Sequence, residues 1–290
     1  MFWAGAGLSI GIGALRICFP ESKQFLEAKK AGHKDISAGD FWLETKVMLR
    51  EQWKLCVYCI ILMTWFNFYS HTSQDSYTTF MKEAKGLSNA PATRASIWMK
   101  VGACVGGTIL GYVSQFVGRR RTIIAAAFMS GCMIPAWILP SGEHTLSATG
   151  FLMQFFVQGA WGVIPIHLNE LSPVAYRSTF PGLTYQIGNM ISSPSAQIVN
   201  ALAERIFVRD EGGPHVKAYG PVMGIATAII AIGIAVTAAL GPERRGRRFE
   251  EALPAGANLH MIPEKDLKDV DLERASQEEN SRPAVVSEKA

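Results

Sequence analysis

The chain has 290 residues, of which 49% are hydrophobic, and it carries a formal net charge of +4 with a mean hydropathy of +0.15. This average is modest because polar segments dilute it, whereas long apolar stretches indicate a membrane protein. The five cysteines lie within or beside those stretches and support neither a disulfide framework nor a zinc site. We see no nucleic-acid-binding motif and expect no cofactor or metal.

Seven apolar stretches each come close to the roughly 17 to 25 residues that a helix needs to span a bilayer. They cover residues 1–19, 55–81, 96–117, 122–139, 146–168, 179–202 and 219–240. The sequence therefore predicts an all-α membrane protein, a helix bundle with about seven transmembrane helices.

The distribution of basic residues predicts the orientation of these helices. The first stretch has no basic start and no small-residue cleavage site before Arg16, so we interpret it as a transmembrane helix rather than a signal peptide. Basic residues are concentrated in segment 23–54 and recur near 119–121, 177 and 244–248. The positive-inside rule places all of these in the cytoplasm, which leaves Met1 outside the cell.

A dense polar run, NFYSHTSQDSYTT, occupies residues 67–79 near the end of the second apolar stretch. The apolar residues before it cover only about 21 Å of a hydrocarbon core that is about 30 Å thick. A helix drawn between Lys54 and Lys82 therefore crosses the membrane only if it carries the polar run inside. The alternative is an external loop that follows a short helix.

On a helix, most of the polar side chains in this run share an arc of about 100°. They are Asn67, His71, Gln74, Asp75 and Thr78, with Ser70 and Thr79 at the edges. Ionisable groups inside a bilayer usually face a bundle interior or a water-filled cavity. His71 and Asp75 lie one turn apart and form a candidate proton-handling pair, because imidazole titrates near neutral pH.

The same run carries the spacing N-x-x-S-H-x-S-Q-D-x-x-x-T. Its fixed positions are Asn67, Ser70, His71, Ser73, Gln74, Asp75 and Thr79. This pattern resembles the signature of the fungal Jen-type carboxylate permeases, which are proton symporters of the major facilitator superfamily. The resemblance implies a major-facilitator-type helix bundle in which this segment corresponds to helix seven and lines the pathway of substrate and proton.

The resemblance also implies a plasma-membrane transporter rather than an enzyme, with lactate, pyruvate or short dicarboxylates carried together with protons. In that setting His71 can attract the anion when it is protonated, and Asp75 can exchange the coupled proton. Moving a bare anion through a low-dielectric core is prohibitive, so charge neutralisation before crossing would explain symport.

The third apolar stretch contains glycines at a spacing that permits close approach of helices in lipid. They are Gly102, Gly106, Gly107 and Gly111. Gly111 also opens the run GYVSQFVGRRR, which resembles the superfamily loop pattern G-x-x-x-D-x-x-G-R-R, with Gln115 in place of the acid. Gly118 suits a tight turn, and we interpret Arg119 and Arg120 as structural or gating residues.

The fifth stretch places Gln154, Gln158 and Trp161 on one helical face. This face either lines a cavity or forms hydrogen bonds to neighbouring helices. The stretch ends in NELSPVAYRS, which resembles the E-x-x-P-x-x-x-R turn of the superfamily. The fixed residues of that turn are Glu170, Pro173 and Arg177. We interpret them as structural or gating residues, not as substrate ligands.

The sixth stretch is rich in amide and hydroxyl groups and is interrupted by Pro194, which is typical of a discontinuous transporter helix. Gln186 and Asn189 lie on one face, where they either hydrogen-bond a carboxylate or join helices. Together with Gln158 they are the candidates for cavity lining. The seventh stretch is nearly featureless, and we expect it to be scaffold.

We expect four segments along the chain. Residues 1–20 form a helix equivalent to helix six of the superfamily, 21–52 a central cytoplasmic loop, 53–241 a six-helix C-terminal half, and 242–290 a disordered cytoplasmic tail. This organisation predicts a fragment of a longer transporter. Its partners are then membrane lipid and either the missing N-terminal half or a full-length relative.

Two other classes of function stay open. An H-x-x-x-D spacing also occurs in membrane acyltransferases, and a half-protein can bind or regulate a full-length relative without transporting. We expect no arginine or lysine deep within a span of segment 53–241, so the cation for a carboxylate should come from the other half. The chain alone is therefore expected not to transport.

Overall fold

The computed structural model describes residues 2–19, 46, 49–50, 52–172, 179–209 and 215–243. The chain divides into two compact units, one containing Met1–Arg50 and Ala252–Ala290 and the other Glu51–Glu251. In the first unit, helix α1 covers Phe2–Cys18, so the first apolar stretch is helical as predicted. The predicted loop 21–52 and tail 242–290 lie almost entirely outside the described residues.

The second unit contains eight helices and one short hairpin within its described residues. In chain order they are α2 (Trp53–Gln74), α3 (Tyr77–Glu83), α4 (Asn89–Val117), α5 (Arg119–Ile138), α6 (Glu143–Leu171), α7 (Phe180–Ser192), α8 (Ser195–Arg205), β1 (Phe207–Arg209), β2 (His215–Lys217) and α9 (Tyr219–Leu240).

Four of the described helices, α4, α5, α6 and α9, are long and apolar enough to cross a membrane. The other predicted spans are also helical, but α1 is shorter, the pair α7 and α8 is divided, and α2 is more polar. Helix α2 has 22 residues, and its last two turns carry the polar run instead of apolar side chains. The fold is an all-α membrane bundle with helices at each of the seven predicted positions.

The polar run is helical and does not form an external loop. Helix α2 continues to Gln74, and α3 begins at Tyr77. Asp75 and Ser76, which lie between the two helices, keep right-handed helical dihedral angles. The sixth predicted span is also interrupted, because α7 and α8 are separated at Pro194, and this break was predicted.

Aromatic side chains fix one side of α2 and α3 to α5 and α6. Tyr77 stacks on Trp137 with the ring centroids 5.1 Å apart and an interplanar angle of 14°. The Tyr77 hydroxyl donates to the carbonyl oxygen of Leu146 at 3.3 Å, and the Tyr69 hydroxyl hydrogen-bonds the Ser130 hydroxyl. Because this aromatic side is fully buried, the polar residues of α2 lie on its remaining faces.

The glycines of α4 make the close helix contact that their spacing predicts, and the structure shows that the partner is α6. A Cβ atom added to Gly102 would lie 2.9 Å from the Cα of Phe151, and one added to Gly106 would lie 2.6 Å from the Cα of Phe155. Gly111 continues this row against the backbone of α6. The two backbones therefore run in direct contact, which a larger residue at these positions would prevent.

The short hairpin of β1 and β2 was not predicted. The strands pair antiparallel, and Val208 lies opposite Val216 in the register. β-branched residues favour extended backbone. Three residues per strand are too few for an alternating pattern to stand out in the sequence.

Candidate functional site

Helix α6 presents a row of side-chain donors to α2. The bonds join Gln154 Nε2 to Ser73 Oγ (3.1 Å), Gln158 Nε2 to Ser70 Oγ (3.0 Å) and Trp161 Nε1 to Phe66 O (3.1 Å). Successive donors and successive acceptors are about one helical turn apart, so the two helices stay in register along the row. These bonds join the two helices, and cavity lining by the half-buried Gln158 stays a prediction.

Ser70 connects this row to α4. Its Oγ accepts hydrogen bonds from Gln158 Nε2 and, at 3.1 Å, from Gln74 Nε2. The other amide atom of Gln74, Oε1, accepts a hydrogen bond from Lys100 Nζ. We refer to Lys100, Gln74, Ser70 and Gln158 as the Lys100 cluster, which joins α4, α2 and α6.

The position of Lys100 bears on one expectation from the sequence. Lys100 is the twelfth residue of the 29-residue helix α4 and lies about 16 Å from the start of that helix. A lysine therefore lies within the candidate span Asn89–Val117, which the expectation from the sequence did not take into account, while its depth in the bilayer stays a prediction. The signal that could have revealed it was a lysine inside the apolar stretch 96–117.

His71 joins α2 to α7. Its Nδ1 lies 2.9 Å from Asp75 Oδ2, one turn later on the chain, and its Nε2 lies 3.4 Å from Asn189 Oδ1. Each ring nitrogen of His71 therefore has a side-chain partner, one on its own helix and one on α7. The side chains of His71 and Asp75 are 38% and 45% exposed, so neither is closed off by the described chain.

Three other predicted residues lie apart from these contacts. Asn67 is buried, and its Nδ2 donates to the carbonyl oxygen of Met63 in the same helix at 2.9 Å. Thr79 and the exposed Gln186 make no side-chain hydrogen bond to the described residues. The predicted polar stripe thus divides into a part that serves the packing of α2 and an exposed part; we refer to His71 and Asp75 of the exposed part, together with Lys100, as the accessible face.

The residues predicted to be structural or gating lie in a separate, buried set. The Arg119 guanidinium donates to Glu170 Oε1 at 3.0 Å, to Glu170 Oε2 at 3.2 Å and to Ser114 Oγ at 2.7 Å. The side chains of Arg119 and Glu170 are only 8% and 3% exposed. We refer to these three residues as the Arg119 cluster. Pro173 and Arg177, predicted for the same role, lie outside the described residues.

The turn between α4 and α5 extends this set to α9. Gly118 has a φ of +107°, which side-chain-bearing residues rarely adopt, and a Cβ there would lie 2.7 Å from Glu243 Oε1. The same oxygen accepts a hydrogen bond from Arg119 N at 2.9 Å. Arg120 Nε donates to the carbonyl oxygen of Ala238, near the end of α9, at 2.7 Å. The turn therefore holds three helices together.

Within the described chain, no group of three or more His, Cys, Asp or Glu side chains is arranged to hold a metal ion. Cys56, Cys59, Cys104 and Cys132 form no disulfide bond within the described residues. The side chains of the accessible face can form hydrogen bonds and attract charge.

Comparison with known proteins identifies the family. The Sugar (and other) transporter family matches residues 8–254. The chain is 33% identical over 250 residues to the "Carboxylic acid transporter protein homolog" of Saccharomyces cerevisiae, covering 80% of this chain and 40% of the yeast protein. It is 28% identical over 166 residues to the "Probable 4-methylmuconolactone transporter" of Cupriavidus pinatubonensis, covering 57% of this chain and 36% of the bacterial protein.

The chain thus spans less than half the length of either relative, and both relatives are named as transporters, not as enzymes. The predicted resemblance to carboxylate permeases is confirmed at the level of the family. The prediction of an integral membrane protein is also confirmed, because the family is one of membrane transporters and the described helices include apolar ones of spanning length. On these matches, this chain belongs to the Sugar (and other) transporter family of membrane proteins.

Proposed function

We propose that this chain takes part in proton-coupled transport of small carboxylates, such as lactate, pyruvate or short dicarboxylates, across the plasma membrane. The observation that carries the proposal is the accessible His71 ring between Asp75 and Asn189. A titratable group on a helix of a membrane transporter is by default a candidate for the substrate or proton pathway. The name of the yeast relative supports a carboxylate as the substrate.

In the proposed proton step, the charged imidazole ring of His71 donates to Asp75 Oδ2 and to Asn189 Oδ1. When the ring loses one proton, it can keep the bond to Asp75, but its Nε2 then faces the amide oxygen with a lone pair. The contact is restored only if Asn189 turns its amide to present an N–H group. Loss of the proton therefore weakens the contact between α2 and α7, which links protonation to the relative position of two helices.

In the proposed binding step, the carboxylate enters the accessible face and is held by charge and by amide and hydroxyl groups. Gln186 is exposed, and within the described residues its amide has no hydrogen-bond partner, so it is available to the ligand. A bare carboxylate costs much free energy to bury, whereas a carboxylate that travels with a proton is neutral overall. This physical requirement supports symport.

The proposal is tested by uptake into liposomes that contain this chain together with the part of the yeast relative that it does not span, because the 290-residue chain alone is expected not to transport. Radiolabelled lactate and succinate should accumulate when an inward proton gradient is imposed, and the external medium should become more alkaline during uptake. His71→Gln should abolish the gradient-driven part, because glutamine cannot take up a proton. His144→Gln is the matched control, because His144 is also exposed but lies at the start of α6. Uptake without alkalinisation would contradict proton coupling.

A second candidate function is a half-protein that binds a carboxylate, or regulates a full-length relative, without transporting. It is favoured by one observation, namely that the match covers only 40% of the yeast relative. The two functions are separated by measuring binding and uptake on the same preparation. Binding of lactate or succinate without uptake supports the second candidate, whereas saturable uptake excludes it.

A further inference from the structure

Lys100 is the charged member of the Lys100 cluster. Its side chain is exposed, although the residue lies well inside the apolar helix α4. An ammonium group at this depth of a transmembrane helix costs free energy unless it faces a cavity or a polar partner. The hydrogen bond to Gln74 directs the Lys100 ammonium to the polar run of α2, in which Gln74 directly precedes Asp75.

The Lys100 ammonium has a hydrogen-bond partner but no counterion in the described part of the chain. Its contact there is Gln74 Oε1, which belongs to a neutral amide. The ion pairs on neighbouring helices use other groups, such as Asp75 with His71 and Glu143 with Arg94. The positive charge is therefore not neutralised by these residues and can attract an anion.

Gln74 is held in the orientation that leaves this charge available. Its Nε2 donates to Ser70 Oγ, which also accepts from Gln158, so the opposite amide atom, Oε1, is directed to Lys100. The amide therefore positions the ammonium without neutralising it. An ammonium has three N–H donors, and the bond to Gln74 uses one of them. Two donors are left for the oxygens of a ligand.

From these contacts we infer that Lys100, positioned by Gln74, is the fixed positive charge that binds the carboxylate group of the transported acid. The inference rests on the proposed function and names the residue that binds its substrate. It gives the two charged groups of the accessible face separate roles. Lys100 holds the anion, while the His71 and Asp75 pair handles the proton.

The test measures binding of radiolabelled lactate and succinate to the purified 290-residue chain in lipid nanodiscs. Lys100→Gln removes the charge and should weaken binding by about tenfold to a hundredfold, the range typical of a hydrogen bond to a charged group. Lys100→Arg keeps the charge and should recover most of the binding. Gln74→Glu places a carboxylate against the unchanged lysine and should weaken binding to a similar extent, with almost no change in side-chain size.

The matched control is Lys82→Gln, because Lys82 is exposed at the end of α3 and makes no side-chain contact to the described residues. It should bind both acids as the wild type does. Uncharged lactamide should compete weakly and equally in the wild type and in Lys100→Gln, whereas general damage to the site would change that competition as well.

The outcomes separate this inference from the proposed function. If the wild-type chain binds lactate or succinate, and Lys100→Gln and Gln74→Glu bind the same acid as tightly, the assignment of Lys100 is wrong and the proposed function stands. If the wild-type chain binds neither acid, the proposed function fails and the assignment of Lys100 fails with it. Size-exclusion chromatography shows whether Lys100→Gln folds. If it does not, the affinity of Gln74→Glu for lactate and succinate, compared with that of the wild type, decides whether Lys100 binds the carboxylate.

Discussion

The Arg119 cluster and the charged residues of the accessible face differ in how completely their charges are paired with oppositely charged or hydrogen-bonding groups. In the Arg119 cluster, the guanidinium has three oxygen acceptors, and both charged side chains are less than one-tenth exposed. At the accessible face, His71 and Asp75 are 38% and 45% exposed, and Lys100 contacts a neutral amide. The charges of the Arg119 cluster are buried and paired, whereas the residues of the accessible face still have unused hydrogen-bond donors and acceptors.

The difference shows how charges on transporter helices divide between structure and function. A buried and fully paired charge cannot exchange its partner without a large desolvation cost, so the Arg119 cluster holds helices together. Partly exposed groups with weak or neutral partners can exchange them for a proton or an anion at small cost. Mutation of the Arg119 cluster should therefore mainly lower stability, whereas mutation of the accessible face should mainly change binding or the pH response of uptake.

The largest effect is expected when the buried pair is broken. Glu170→Gln leaves the Arg119 charge buried and unpaired, which should lower the free energy of unfolding by about 3–5 kcal/mol. Thermal unfolding of the detergent-solubilised protein, followed by size-exclusion chromatography, measures this loss. Arg121→Gln is the control, because Arg121 belongs to the same arginine run but is exposed. Equal stability of the two variants would show that the pair is not structural.

The next largest effect is expected at the contact between α4 and α6, which carries Lys100 and Gln158. Gly106→Ala inserts a methyl group against the backbone of Phe155 and should cost about 1–3 kcal/mol of stability. Because it separates the two helices, it should also weaken carboxylate binding. Gly131→Ala is the control, since an added Cβ there meets no atom within 4 Å. A stable, fully binding Gly106→Ala variant would contradict the close-packing argument.

A smaller effect is expected at Ser70, the shared acceptor of the Lys100 cluster. Ser70→Ala leaves the Nε2 groups of Gln74 and Gln158 without their acceptor, which should cost about 0.5–1.5 kcal/mol. Gln74 then loses its fixed orientation, so lactate affinity should fall by up to about tenfold. Equilibrium binding in nanodiscs measures this change. Thr79→Val, at a residue with no side-chain hydrogen bond to the described chain, should change affinity less.

The smallest effect on stability is expected at Asp75. Asp75→Asn removes an accessible pair with His71 and should change the free energy of unfolding by no more than about 1 kcal/mol. It should nevertheless flatten the rise of uptake as external pH falls, because one member of the proton-handling pair no longer titrates. Uptake measured from pH 5 to pH 8 checks this. A pH response equal to that of the wild type would remove Asp75 from the proton pathway.

The sequence by itself determined the class of fold and the elements that carry the polar residues. Apolar stretches of membrane-spanning length predicted the positions of the helices, because the thickness of the bilayer fixes how many apolar residues a span needs. Small residues spaced along one face of α4 predicted a close helix contact, because glycine lets two backbones approach, but the partner, α6, came from the tertiary structure. Pro194 predicted a break, because proline has no backbone N–H to donate.

Only the tertiary structure decided which polar side chains meet. Asn67 and His71 lie one turn apart in the same stripe, yet Asn67 bonds to its own helix, whereas His71 reaches Asn189, 118 residues later. Lys100 was missed because its significance comes from Gln74 on another helix. Helical periodicity fixes the direction of a side chain on its own helix, but the partner opposite depends on how helices pack. That packing is set by long-range contacts, such as Tyr77 on Trp137, that local spacing does not encode.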